Sequence, residues 1–344
     1  MPQVPAERLR KVATALFRAV GTPDDVTGTV VDILIESNLA GHDSHGVQLI
    51  PGYMKGAQEG RTVASARPTI VEETATTALV SGHWGWGQMT AAYGTEVAIR
   101  KARESKIAAV GLVECNHVGR LGEYSERAIR AGLALIATLG SAGRGGNTAP
   151  FGGRRGALGT NPWSMGLPAG GGRSVLLDFA TTVVAGNKVA VARAKGEQLP
   201  PGAILDKDGN PATDPEALRG GGVMLPFGAH KGYALAVFAE LFGNIVAPSF
   251  RYPGPGRGGG TFLIALDPAM FAPPAEYEAA AAEVLGRIKA VEPAPGFSEV
   301  LTPGEPEARS RQRRGAEGVP LPEPTWEALK KSGSELGVDV EAIT

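Results

Sequence analysis

The sequence predicts a folded protein of mixed strands and helices, either α/β or α+β, with about two domains. The middle of the chain alternates apolar runs of strand length with segments of helical apolar spacing. A length of 344 residues is enough for two domains and a large core. Aliphatic segments run between the frequent glycines (49) and prolines (26), which is typical of a folded chain with many turns.

Two helices are predicted at the start of the chain. Residues 6–20 carry apolar side chains at helical spacing. Thr22 is the expected N-cap of the second helix, with Pro23 at its first position, and this helix runs to about Ala40. It leads into residues 41–46, Gly-His-Asp-Ser-His-Gly, which we call the His45 turn.

Short strands and helices alternate in the middle of the chain. The predicted strands are 69–72, 77–80, 107–113, 133–139, 174–177 and 261–266, and the predicted helices are 88–104, 120–131 and 232 to about 246. Loops rich in proline and glycine at 247–260 and 293–306 separate this core from a C-terminal section of helices. No Gly-x-Gly-x-x-Gly lies between a strand and a helix, so a Rossmann fold is not predicted.

Composition excludes several classes of partner. Lys plus Arg (34) balances Asp plus Glu (35), so no general positive field exists for nucleic acid. No run approaches the about 20 apolar residues that cross a bilayer, and no leader-like segment opens the sequence. The single cysteine, Cys115, cannot form an internal disulfide and fits a reducing compartment. We therefore expect a cytoplasmic protein with no membrane partner.

The His45 turn is the first candidate for chemistry. It holds two of the five histidines, His42 and His45, and imidazole is the side chain that titrates near neutral pH. Ser44 could orient the ring of His45, and the end of the preceding helix favours a protonated imidazole. The alternative is a structural turn capped by Asp43, with both histidines solvated. The spacing of the two histidines is too short for the usual zinc-binding helix, so no metal site is predicted.

Two further clusters follow strands or open a helix. Residues 115–120, Cys-Asn-His-Val-Gly-Arg, follow the 107–113 strand, where His117 could act as an acid or base and Arg120 could meet an anion. A polar turn with a surface arginine is an equally compatible interpretation, and Cys115 is expected to be buried rather than nucleophilic. His230 and Lys231 open an apolar helix and could bind a phosphate or carboxylate.

Five motifs together resemble those of the non-Rossmann malate/L-lactate dehydrogenase family. They are Gly-His-Asp-Ser-His-Gly at 41–46, His-Val-Gly-Arg at 117–120, Gly-Thr-Asn-Pro at 159–162, Leu-Asp-Phe-Ala-Thr-Thr at 177–182 and His-Lys-Gly-Tyr at 230–233. They occur in the family's order over nearly the whole chain. The continuation Ile-Pro-x-Tyr at 50–53 and the Pro-Pro-Gly turn at 200–202 are similar to the hydroxycarboxylate dehydrogenase B branch.

The resemblance implies an architecture and a reaction. A helical domain from both chain ends, residues 1–66 and 286–344, would flank a central α/β domain, residues 67–285, with a largely antiparallel or mixed sheet. The resemblance also implies a homodimer with its active site near the interface. The reaction would be hydride transfer between NAD or NADP and a small 2-oxo or 2-hydroxy acid.

Roles for individual residues are carried over by position from the resemblance. His45 and His117 would be the proton-transfer and substrate or nicotinamide contacts, with Ser44 and Asp178 as the relay that orients His45. The substrate-binding residues would be Tyr53, Arg120 and Lys231. The cofactor-binding residues would be His45, Gly119, Arg120, Leu121, Asp178, Phe179, Ala180, Thr181, Thr182, His230, Lys231, Arg309, Arg311 and Arg313. Several family members carry an arginine for the substrate carboxylate at the position of Leu49, so Arg120 or Lys231 would take that role here.

Two other functions stay open from the sequence alone. The same hydride geometry would suit reduction of a cyclic imine carboxylate of the piperideine-2-carboxylate type. A non-catalytic ligand-binding relative would keep the scaffold without turnover. The cofactor preference also stays open, because arginines at 309–314 could pair with a 2′-phosphate while Glu305 could accept hydrogen bonds from an unphosphorylated ribose.

Overall fold

The structure, a computed structural model, describes residues 2–141, 146–170, 174–255 and 259–344. Its helices are α1 (Ala6–Ala19), α2 (Asp24–Leu39), α3 (Ile50–Gln58), α4 (Gly87–Ser105), α5 (Gly122–Arg130), α6 (Gly186–Lys195), α7 (His230–Leu241), α8 (Pro274–Lys289), α9 (Glu305–Glu317) and α10 (Glu323–Glu335). Its strands are β1 (Gln3–Val4), β2 (Thr69–Glu73), β3 (Thr77–Ser81), β4 (Ile107–Val113), β5 (Ala134–Leu139), β6 (Trp163–Pro168), β7 (Ser174–Phe179), β8 (Ile204–Leu205), β9 (Pro211–Ala212), β10 (Val223–Met224), β11 (Thr261–Leu266) and β12 (Val319–Pro320).

A mixed sheet forms the centre of the molecule and confirms the predicted fold class. Over the described ranges it has seven strands in the order β2-β3-β4-β11-β5-β6-β7, in which β3 and β4 are parallel and the other neighbours are antiparallel. Alternate residues of β4, β5 and β11 lie in one hydrophobic core with residues of α4 and α5. On the opposite face Ile107 and Ile136 are exposed. Helices α4 and α5 therefore cover one face, and α7 with the residues after it packs on part of the other, where the Phe242 ring stacks on that of Phe262.

A second hydrophobic core joins the two ends of the chain. Residues of α1, α2 and α3 pack with Val319, Leu321, Leu329 and Val340, and β1 pairs with β12. Trp86, at the start of α4, also lies in this core and so connects the helical layer to the sheet. The domain boundaries at 66/67 and 285/286 remain a prediction.

A small third core was not anticipated from the sequence. The two-residue strands β8, β9 and β10 form a short sheet, and Val184, Ile204 and Met224 are buried beneath it with residues of α6. Strands this short carry too few residues for an alternating pattern to show in the sequence.

Several element boundaries differ from the predictions. Helix α2 begins at Asp24 with Pro23 in the N-cap position, so the prediction of Thr22 as N-cap was wrong. The Thr22 hydroxyl instead accepts a hydrogen bond from Trp86 Nε1 at 3.1 Å. Strand β6 was missed because it contains Gly166 and a terminal proline, and it is formed by pairing with β5 and β7. Among the described residues, no helix is both long and apolar enough to span a membrane.

Candidate active site

The His45 turn is held in shape by the last turn of α2. Buried Asn38 donates from Nδ2 to Asp43 Oδ1 at 2.7 Å and accepts from the Val47 amide at 2.9 Å. A Cβ atom on Gly46 would lie 2.1 Å from Asn38 Oδ1, so only glycine fits there. Residues 43–45 consequently form a single tight 3₁₀ turn that aims Ser44 and His45 away from the helix.

Helix α9, near the C-terminus, also stabilises the His45 turn. Arg314 is buried and donates to both carboxylate oxygens of Asp43, at 2.6 and 3.0 Å, and to the Asn38 carbonyl at 2.5 Å. His42 Nε2 lies 3.0 Å from Glu307 Oε1, and this hydrogen bond lowers the pKa of Glu307. Sequence reasoning missed Arg314 and Glu307, because their partners are nearly the whole chain away.

His45 and His117 meet as a nearly parallel pair of rings. Their centroids are 5.8 Å apart and their planes differ by 15°. His45 Nδ1 lies 2.9 Å from Ser44 Oγ, and His117 Nδ1 lies 2.7 Å from the Tyr53 hydroxyl. Within the described part of the chain, no protein hydrogen bond occupies Nε2 of either ring. The two rings therefore present two free ring nitrogens side by side.

Both rings favour the neutral form. Burial lowers the pKa of His45 to about 3, and the charges of His117, His42 and Arg120 add to the effect. The expectation that the helix end would favour a protonated ring was therefore wrong, because desolvation outweighs the helix dipole here. Surrounding protein atoms also lower the pKa of His117. Part of the His117 side chain is nevertheless exposed.

Tyr53 lies between His117 and a residue that the sequence did not suggest. Gln88 is fully buried, and its Nε2 donates to the Tyr53 hydroxyl oxygen at 2.8 Å. Since this hydroxyl is engaged by Gln88 and His117, the geometry does not favour the expected direct contact between Tyr53 and substrate. The adjacent Gly87 lets α4 approach this segment closely, since a Cβ atom there would lie 2.4 Å from the His117 carbonyl oxygen.

Arg120 and Asp178 belong to a buried network of charges. Arg120 is 1% exposed and donates to both carboxylate oxygens of Glu126, at 3.2 and 3.0 Å, while its Nε lies 3.4 Å from Asp178 Oδ2. The Gly122 amide donates to the same Asp178 oxygen at 2.9 Å. Burial raises the pKa of Asp178, although Arg120 opposes the shift. An arginine so enclosed is a partner for Asp178 and Glu126 and is poorly placed to reach a substrate.

The expected cofactor segment around Asp178 is fixed by internal hydrogen bonds. The Thr181 amide and hydroxyl both donate to the Thr160 carbonyl, at 2.8 and 2.9 Å, and the Thr182 hydroxyl donates to the Val184 carbonyl at 2.8 Å. The Phe179 ring packs edge-on against Phe227, Ala180 is half-buried, Leu121 is buried, and Gly119 has a φ of +77°. This rigid segment leads directly to Val183, which lines a cavity.

The cavity measures about 450 Å³ and has a positively charged rim. Its lining includes Phe151, Arg154, Val183 and Ala229. His230 and Lys231 follow at the exposed start of α7, and the His230 ring lies 6.0 Å from that of Phe151. Over the ranges that the structure covers, the side chains of Arg154 and Lys231 make no ion pair. A ligand carrying phosphate or carboxylate groups fits such a rim.

The three arginines expected near the adenosine differ in availability. Arg309 pairs with both oxygens of Glu299, at 2.5 and 2.7 Å. Arg311 bonds to Glu126 at 2.5 Å and so extends the buried network to α9. Arg313 is exposed. Sequence reasoning also missed Glu126, because only the fold shows that it is enclosed by two arginines.

One expectation outside this site concerns the single cysteine. Cys115 is buried, as expected, and burial raises the pKa of its thiol to about 12, so it is not a nucleophile at neutral pH. In the residues described, no cluster of three or more histidine, cysteine or acidic side chains could hold a metal ion.

Comparison with known proteins identifies the family. A sequence model of malate/L-lactate dehydrogenase matches residues 4–330. The chain belongs to this family. Its relatives include the L-sulfolactate dehydrogenase of Methanothermobacter thermautotrophicus, 34% identical with 96% of each chain covered, and hydroxycarboxylate dehydrogenase B of Escherichia coli O157:H7, 32% identical over 98% of this chain and 95% of that protein. The family resemblance read from the sequence is thus confirmed, and the chain is an oxidoreductase of the hydroxy-acid dehydrogenase type.

Solved structures agree with this family assignment. A putative malate/lactate dehydrogenase from E. coli superposes with a TM-score of 0.92 at 30% identity, covering 100% of this chain and 98% of that one. A Δ1-piperideine-2-carboxylate reductase from Pseudomonas syringae has the same family fold, with a TM-score of 0.84 at 27% identity and coverage of 96% and 100%.

Proposed function

We propose that this protein is an NAD(P)-dependent 2-hydroxycarboxylate dehydrogenase. The observation that carries the proposal is the pair of nearly parallel imidazoles, His45 and His117, each anchored through Nδ1 and without a protein hydrogen bond at Nε2 among the described residues. A 2-hydroxy acid needs one group to take the hydroxyl proton and another to hold an oxygen in place. Two adjacent ring nitrogens meet both needs, and the same set serves the reverse reaction.

His45 is the proton-transfer group in this proposal. In the oxidation of a 2-hydroxy acid, His45 Nε2 takes the proton of the hydroxyl on the reacting carbon, and a bound nicotinamide would accept the hydride from that carbon, which leaves a 2-oxo acid. The neutral ring is the form needed for this step, and burial favours that form. Reduction requires a protonated His45, which the negative charge of the bound substrate would favour. Ser44 holds Nδ1, so the ring cannot turn away.

The residues on the cavity rim fit an anionic dinucleotide. Arg154 and Lys231 offer positive charge beside the N-terminus of α7, whose helix dipole favours a phosphate. When bound, the cofactor supplies or receives the hydride. The proposal covers both NAD and NADP, and Arg313 is the exposed arginine that could meet a 2′-phosphate.

The substrate carboxylate lacks the arginine that several family members carry. Leu49 is half-buried and apolar, and Arg120 is enclosed by Glu126 and Asp178. Lys231 and the free nitrogen of His117 are therefore the groups we assign to this carboxylate. The similarity to a piperideine-2-carboxylate reductase makes cyclic imine carboxylates the second substrate class.

The proposal also includes a homodimer in the cytoplasm. Five large apolar side chains on α7 and the segment after it are exposed, and we call them the α7 apolar face: Phe238, Leu241, Ile245, Val246 and Phe250. A patch of this kind is usually covered by a partner, and a second copy of this chain fits the dimer that the family resemblance implies. A single buried cysteine suits a reducing compartment.

One spectrophotometric assay tests the proposed function. The near-ultraviolet absorbance of NADH and of NADPH would be followed in parallel with pyruvate, oxaloacetate, phenylpyruvate, 2-oxoglutarate and piperideine-2-carboxylate. Oxidation of NADH or NADPH in the presence of a 2-oxo acid supports the proposal. Oxidation of either cofactor with piperideine-2-carboxylate alone supports cyclic imine carboxylates as the substrate class. Calorimetric binding of a cofactor without any turnover would indicate a ligand-binding relative instead.

A further inference from the structure

Gln88, Tyr53 and His117 form a short chain of hydrogen bonds that runs from the interior to an exposed side chain. Gln88 Nε2 lies 2.8 Å from the Tyr53 hydroxyl, which lies 2.7 Å from His117 Nδ1. Gln88 is fully buried, and the Tyr53 ring lies 5.9 Å from buried Trp86. The chain therefore starts in the interior, where its members cannot reorient freely.

The direction of donation along this chain follows from the number of protons available. Gln88 donates to the tyrosine oxygen, and the single tyrosine proton is available to donate to His117 Nδ1, the acceptor that the described residues offer it. A neutral imidazole carries one N–H, which must then be on Nε2. If the hydrogen bonds ran in the opposite direction, the Gln88 amide would have to be flipped so that its oxygen accepts from Tyr53. The buried group without a partner would then be the Gln88 NH₂ instead of its Oε1. Buried orphan N–H groups are the rarer and costlier of the two.

We propose that Gln88 and Tyr53 are positioning residues that hold His117 as the tautomer with its proton on Nε2. His117 then donates a hydrogen bond to a substrate oxygen, while neighbouring His45 accepts the hydroxyl proton. The two histidines thus have opposite roles, since the His117 ring donates a hydrogen bond and the His45 ring accepts a proton. This inference rests on the proposed function for the identity of the substrate, but the tautomer itself is a property of the ligand-free protein.

Nitrogen-15 NMR of histidine-labelled protein tests the tautomer directly. Protonated and unprotonated ring nitrogens resonate far apart, and the spectrum of His117→Gln identifies the His117 signals among the five histidines. We expect the proton of His117 on Nε2 in the ligand-free wild-type protein. A proton on Nδ1 would overturn the proposal. In Tyr53→Phe we expect the preference for one tautomer to be lost, whereas a tautomer unchanged in that variant would contradict it.

A double-mutant cycle tests whether Gln88 acts through Tyr53. Each of Tyr53→Phe and Gln88→Leu should lower kcat/KM about tenfold, the effect of one lost hydrogen bond. Gln88→Leu should have little further effect when Tyr53 is already Phe, because the chain is then broken. Equal losses in both backgrounds would show that the residues act independently and would overturn the proposal.

A matched control separates positioning from packing. Tyr93→Phe removes the hydroxyl of another half-buried tyrosine, on α4, and should leave both the His117 signals and kcat/KM unchanged. The NMR measurement needs no substrate. Absence of turnover in the wild-type protein would therefore refute the proposed function, while the position of the His117 proton would still decide the present inference.

Discussion

The ring of His45 lies nearly parallel to the ring of His117, with 5.8 Å between their centroids. His45 comes from the helical layer, in the turn after α2, and His117 comes from the segment after β4 of the central sheet. The pair therefore exists only where the two layers meet. Trp86 packs in the core of the helical layer at the start of α4 and holds the layers together at this point.

Replacing His45 should abolish most of the activity while the protein still binds its cofactor. In His45→Asn the proton acceptor is lost, and we expect kcat to fall about 10²- to 10⁴-fold. Calorimetry should show cofactor affinity within a few-fold of wild type. His83→Asn is the control, because His83 lies beside Thr69 and Ser81 and should leave kcat unchanged. Full activity in His45→Asn would contradict the assigned role.

The pKa of His45 should rise when an anionic substrate analogue binds. In the free protein, burial and neighbouring positive charge lower its pKa to about 3, so its NMR signals should stay those of a neutral ring from pH 8 to about pH 5. Oxamate with reduced cofactor adds negative charge beside the ring and should move the midpoint upward. An identical midpoint with and without ligand would show that the analogue does not lie near His45.

Acid should destabilise the protein partly through the same residue. The unfolded chain binds a proton on His45 below about pH 6.5, whereas the folded state does so only near pH 3. The free energy of unfolding therefore falls as the pH decreases between these values. In urea titrations at pH 7 and pH 5, we expect His45→Asn to lose less stability than wild type. An equal loss in both proteins would mean that His45 is already protonated in the folded state.

Lys231 should contribute to binding a negatively charged ligand group. A charge-assisted hydrogen bond to phosphate or carboxylate contributes about 1.5 to 3 kcal/mol, so Lys231→Gln should weaken binding of cofactor or of 2-oxo acid about 10- to 100-fold. Titrating each ligand separately shows which one it holds. Lys55→Gln, at an exposed position on α3, should change neither affinity.

Two glycine substitutions should change stability in opposite directions. In Gly46→Ala the new Cβ would overlap Asn38 Oδ1 and disturb the hydrogen bonds of Asn38 to Asp43 and Val47, at a cost of roughly 2 to 4 kcal/mol. In Gly28→Ala nothing lies within 4 Å, and an exposed helical position should gain about 0.5 to 1 kcal/mol. Urea unfolding of both variants measures the two effects, and equal stabilities would contradict the assigned packing of Gly46.

The α7 apolar face should be the surface that joins two copies of the chain. Phe238 is 57% exposed, and a charge at this position should disfavour burial against a partner. We expect wild-type protein to be a dimer by light scattering and Phe238→Glu to be a monomer. Phe297→Glu changes a phenylalanine outside this face, on the loop after α8, and should remain a dimer. A wild-type monomer would refute the proposed assembly.

The sequence by itself was enough to locate six of the seven strands described in the central sheet and the helices α1, α2, α4, α5 and α7. Strands β4, β5 and β11 were visible because each is an apolar run of strand length with at most one threonine, and this pattern depends only on residues close together in the chain. The histidines of the site were visible because few side chains have their chemistry at neutral pH. The order of the five family motifs along the chain indicated the family, and no single segment contains that information.

Only the tertiary structure decided which groups are neutral, enclosed or free to act. The sequence was compatible with Arg120 as a ligand contact or as a surface arginine, yet Glu126 and Asp178 enclose it. The prediction of a protonated His45 failed because burial opposes charge. Gln88 became a candidate only when its contact with Tyr53 was known. Contacts between residues distant in the chain determine solvation and hydrogen-bond partners, and no local sequence pattern contains that information.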